Sequence, residues 1–138
     1  MKQVLSIEQM KHLQELGLDT SDASMYWARV SHGSRIDDKS KGKWFLSLHK
    51  EFQTCGFMSY ESIPTYTLQD IINKLPCFIG DEVLTVQKLA DSYTCLYMNP
   101  YTRSMINITE SKEPIDAAYD MLCWCIENGY VKVVMEEK

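Results

Sequence analysis

The stretch Glu113-Pro114-Ile115-Asp116-Ala117-Ala118-Tyr119-Asp120-Met121-Leu122-Cys123-Trp124-Cys125-Ile126-Glu127-Asn128-Gly129-Tyr130 carries the start, the periodicity and the stop of a long helix. Proline fits the first turn, because the N–H it lacks would have no helical partner there. Ile115, Ala118, Tyr119, Leu122, Cys125 and Ile126 recur at three- and four-residue steps and so share one face. Asp116, Asp120 and Glu127 fall on the other. Glycine at 129 suits the left-handed position past the last turn, where Tyr130 can fold back on the helix. A helix with such a face needs an apolar surface to lie on.

Three strands just upstream are suited to supply it: Val83 to Leu89, Tyr93 to Met98 and Ser104 to Thr109, joined by turns at 90–92 and 99–103. Ahead of them Thr67 and Asp70 mark the start of a second helix, with Leu68, Ile71, Ile72 and Leu75 as its buried stripe and Pro76 as its end. Ser6-Ile7-Glu8-Gln9 reads as a capping box opening a first helix. That helix turns Ile7, Met10, Leu13 and Leu16 inward and stops at Gly17, with Leu18 sealing the end. Between the first two helices, Met25 to Val30 and Lys43 to Lys50 predict a hairpin around the long polar connection Ser31 to Gly42. A short third strand is expected around Phe57-Met58-Ser59-Tyr60, and a closing edge strand at Val131 to Val134.

The order helix, strands, helix, strands, helix predicts an α+β fold, antiparallel sheet packed with three helices. At 138 residues the chain is expected to form a single domain, 1–138.

Bulk chemistry narrows the function only by exclusion. Hydrophobic residues at 45% and charged residues at 24% match an ordinary globular protein. A net charge of −5 disfavours non-specific nucleic-acid binding, which needs phosphates neutralised by Lys and Arg. Five cysteines, at 55, 77, 95, 123 and 125, are an odd count without a disulfide framework, and free thiols fit a reducing cytoplasm. No apolar run reaches signal-peptide or membrane-spanning length, so a cytoplasmic protein without membrane contact is expected.

Local chemistry is sparse. His12, His32 and His49 lack Cys or acid partners at ligand spacing, so no metal site is expected. Neither a GxGxxG nor a P-loop is present, and no cofactor or catalytic residue is assigned. Cys55 with His49 would be a nucleophile–base pair only if the fold happened to join them. The second half has the element order of a double-stranded-RNA-binding domain. Such domains clamp phosphates with Lys at the start of the last helix, which here holds neither Lys nor Arg, and the reading fails. Arg35, Lys39, Lys41 and Lys43, near His32, form a basic finger that would contact an anion, though Asp37 and Asp38 interrupt it. Tyr93, Cys95 and Tyr97 share a strand face, with Tyr101 in the next turn; ordinary sheet packing accounts for them. Trp124, on the side of the long helix shared with Ala117 and near Met121, is the expected interface anchor.

Three segments are familiar together: 5–21, beginning Leu5-Ser6-Ile7-Glu8-Gln9-Met10; 63–71, Ile63-Pro64-Thr65-Tyr66-Thr67-Leu68-Gln69-Asp70-Ile71; and 116–129, ending Cys125-Ile126-Glu127-Asn128-Gly129. With them the chain resembles, over nearly its whole length, a group of small uncharacterised proteins of Bacteroides-type gut bacteria. Members are often encoded in prophages or other mobile elements. The resemblance implies an accessory protein acting by binding, and supplies no activity or site residue. The expectation is therefore a non-enzymatic protein-binding or assembly module whose partner is a second copy or a host or phage protein. A nucleic-acid accessory using the 32–43 finger and an enzyme with a dispersed site are the alternatives.

Overall fold

A computed structural model of the chain describes residues 1–32, 43–48 and 59–133. Its elements are α1 (Ile7–Glu15), β1 (Met25–His32), β2 (Phe45–Ser47), β3 (Ser59–Thr65), α2 (Leu68–Lys74), β4 (Phe78–Ile79), β5 (Glu82–Lys88), β6 (Tyr93–Met98), β7 (Met105–Ser111) and α3 (Pro114–Glu127). This is the expected α+β order, resolved into two antiparallel sheets, β2-β1-β3 and β4-β5-β6-β7.

The helix ends follow the local chemistry. Ser6 and Gln9 complete a capping box on α1, and Thr67 and Asp70 complete one on α2. Gly17 and Gly129 both take positive φ, 95° and 80°, just past their helices. After α3 the Gly129 amide donates to the Ile126 carbonyl and the Tyr130 amide to that of Cys125, closing the last turn. Tyr130 then stacks on Trp124, ring centroids 5.4 Å apart.

Strand β3 runs five residues further towards α2 than the sequence suggests, through Thr65. Pro64 hides this, since proline cannot donate to a ladder. It is tolerated here because β3 is the edge of its sheet. The expected β1–β2 pairing is present, with Trp27 opposite Leu46; of the expected Lys43 to Lys50, the described residues 43–48 form strand at Phe45–Ser47, and His49 and Lys50 lie outside the described residues. Phe57 and Met58, the 33–42 connection and Val134 lie outside the described residues. β4 is two residues long, below what a periodicity can register. Residues 131–133 form no strand; instead Val131 is buried and Val133 packs on the core.

Helix α3 lies across β6 and β7 and against α2. The core between them holds Leu5, Met10, Leu13, Tyr66, Ile71, Cys95, Tyr97, Ile115, Ala118, Leu122 and Cys125. Tyr97 is wholly buried and donates its hydroxyl to the Pro76 carbonyl at 2.7 Å, fixing the end of α2 to the sheet. Near the N-terminus, Lys2 Nζ and Gln9 Nε2 both donate to Asp116 Oδ1, at 2.8 and 2.9 Å, tying α1 to the first turn of α3.

Candidate protein-binding face

The expected interface on α3 is not a surface in this fold. Ala117 and Met121 are 0% exposed. The Ala117 carbonyl accepts a 2.7 Å hydrogen bond from Thr109 Oγ1, and Asn107 Nδ2 approaches Met121 Sδ at 3.8 Å. A helix wedged between a sheet and a second helix buries more of its circumference than one periodic stripe, so residues flanking the stripe are covered too. Trp124 keeps partial exposure but rests on the core and under Tyr130.

Of the basic finger, Lys43 is described and exposed, while Arg35, Lys39 and Lys41 lie outside the described residues. His49 and Cys55 lie outside them as well. His12 packs edge-on to Tyr119, centroids 6.4 Å apart. Three clefts, of about 450, 300 and 400 Å³, are lined around Lys2 and Leu68, around Asp19 and Tyr26, and around Cys77 and Leu84. None of these three brings a Cys or His together with an acid. Among the described residues no group of three or more His, Cys, Asp or Glu is placed to hold a metal, and no helix is long and apolar enough to cross a membrane.

The thiols of Cys95 and Cys125 are buried. Burial pushes Cys95 up to about 12 and Cys125 to about 11, which disfavours the reactive thiolate.

What sequence reading missed is the outer face of the four-stranded sheet. Cys95 and Tyr97 point into the core, so the alternation of a strand sends Thr94, Leu96 and Met98 the other way. Cross-strand register then builds that face in rows. Phe78, Val83, Met98 and Met105 form one row, Thr85, Leu96 and Ile108 the next, and Gln87, Thr94 and Glu110 the last. A bulge between Tyr97 and Met98 in the pairing leaves Ile106 as an extra residue beside the first two rows.

Strand β7 is inverted relative to an ordinary half-buried strand. Its polar residues Asn107 and Thr109 face α3 and bond to it, while its apolar residues face outwards. Met105 is 56% exposed, Ile108 51%, and Phe78 at the far side of the sheet 63%. Leu96, between Thr85 and Ile108 in the register, is 2% exposed. Tyr101 stands 93% exposed in the β6–β7 turn at the apolar end. That turn is held by Asn99 Oδ1, which accepts from the Tyr101 and Thr102 amides at 2.9 and 3.1 Å. The signal available in the sequence was the alternation Met105-Ile106-Asn107-Ile108-Thr109; it shows two faces of unlike polarity without saying which is outside.

No family model, curated protein or solved structure matches this chain.

Proposed function

We propose that this protein works by binding another protein through the outer face of β4–β7, without chemistry of its own. The observation that carries this reading is the inversion of β7. A strand that leaves Met105, Ile106 and Ile108 half-exposed and gives Asn107 and Thr109 to the helix forgoes much of the monomer stability its apolar residues could supply. Contiguous apolar surface of this kind, rich in Met, Ile and aromatic residues, fits the core of a protein interface. On the resemblance above, the setting of such a module is a mobile genetic element.

The test is site-specific photocrosslinking in the cells that make the protein. A photoreactive residue at Ile108 is expected to yield a discrete protein adduct, and one at the exposed Lys11 on α1 is not. Absence of adducts from Ile108, or the same adducts from both positions, overturns the reading.

A further inference from the structure

We infer that the occupant of this face is a second copy of the chain, packed sheet to sheet about a two-fold axis running along the strands between β5 and β6. The inference rests on the reading of the face given above and names its partner. Three features of the face fit a copy of itself.

The first is shape. Such an axis reverses the strand order across the interface, laying β7 over the copy's β4 and β6 over its β5. Every apolar row then meets an apolar row. Phe78 falls on Met105 of the copy and Met98 on its Val83. An aromatic ring set against a thioether is a favourable pair, and the axis makes it twice. An axis across the strands would instead lay the apolar first row over Gln87, Thr94 and Glu110.

The second is charge. With a net charge of −5, two copies repel unless the contact is chosen well. At the apolar end the β6–β7 turn presents Arg103, held at φ 65°, and the β4–β5 turn presents the exposed Asp81. Reversal of strand order places Arg103 of one copy at the turn that carries Asp81 of the other, in both directions. Glu110 stays at the opposite end, where β4 has already stopped.

The third is size. Strands about 4.8 Å apart with residues rising about 3.3 Å outline a face of roughly 400 Å², against about 800 Å² per partner in a stable complex. The exposed Tyr101 and projecting side chains extend it. The expected product is a weak, concentration-dependent dimer of two stacked sheets, about 10 Å apart.

Sedimentation equilibrium of the full chain between ~10 µM and ~1 mM is expected to show monomer passing into dimer. Ile108→Lys, at an exposed position, is expected to stay folded by circular dichroism and to weaken the dimer more than about tenfold. Arg103→Asp is expected to weaken it severalfold, and Arg103→Asp with Asp81→Arg to restore it. Monomer throughout the range, or a dimer indifferent to Ile108→Lys, overturns the inference. Loss with Ile108→Lys but no rescue by the exchanged charges overturns the axis stated here. A chain that stays monomeric while crosslinking from Ile108 to a different protein loses this occupant and keeps the binding face. A chain that does neither loses both.

Discussion

Leu122 sits fully buried where α3 meets the rest of the core. Its truncation to alanine removes packed methyl groups and leaves a void, and Leu122→Ala is expected to cost about 2–5 kcal/mol in urea unfolding. Thr94 presents the reverse case. Its Oγ1 is buried on the outer face without a hydrogen-bond partner. Thr94→Val keeps the shape and removes the orphaned hydroxyl, so the variant is expected to be more stable by about 1 kcal/mol in the same measurement. Gly129 adopts φ 80° with open space where a Cβ would stand. The cost of Gly129→Ala is therefore backbone strain alone, about 1 kcal/mol, read as a lower Tm. Among Cys77, Cys95, Cys123 and Cys125, iodoacetamide at mild alkaline pH is expected to label the exposed Cys77 first, since burial protects and deactivates the others.

At the scale of elements, the helix boundaries were written locally. Ser6 with Gln9 and Thr67 with Asp70 act within one turn of chain, and Pro114 and Gly129 each act on the adjoining turn at one end of α3, so sequence alone located all three helices. The docking of α1 on α3 is another matter, because Lys2, Gln9 and Asp116 meet across more than a hundred residues. Burial raises the Asp116 carboxyl, but the hydrogen bonds from Gln9 and Lys2 outweigh it and hold its pKa below the ordinary 3.8. A depressed carboxylate stabilises the fold at pH values above its unfolded pKa and loses that contribution as pH falls through the folded one. Asp116→Asn is thus expected to cost about 0.5–1 kcal/mol at neutral pH and to shrink its deficit below pH ~4, as followed by urea unfolding across pH. A deficit unchanged down to pH ~2 would mean the carboxylate charge contributes nothing to docking.

Across the whole molecule, two sheets and three helices leave the outer face of β4–β7 without a layer among the described residues, and that face is where the fold and the proposed function meet. The alternations of β6 and β7 were visible in the chain, as was the single stripe on α3. Their orientation was not. Periodicity divides a strand or helix into sides, yet the side that is buried depends on what packs there. Ala117 and Met121 read as flanking surface and became core because α3 is enclosed by β6, β7 and α2. Met105 and Ile108 lie on the apolar side of β7, and that side became surface because α3 took the polar one. Sequence by itself determined the three helices, the capping boxes of α1 and α2, and the order of helices and strand runs, since those signals are local and a few residues suffice. Only the tertiary structure decided which faces are covered and which remain open to a partner, because burial is a property of neighbours far away along the chain.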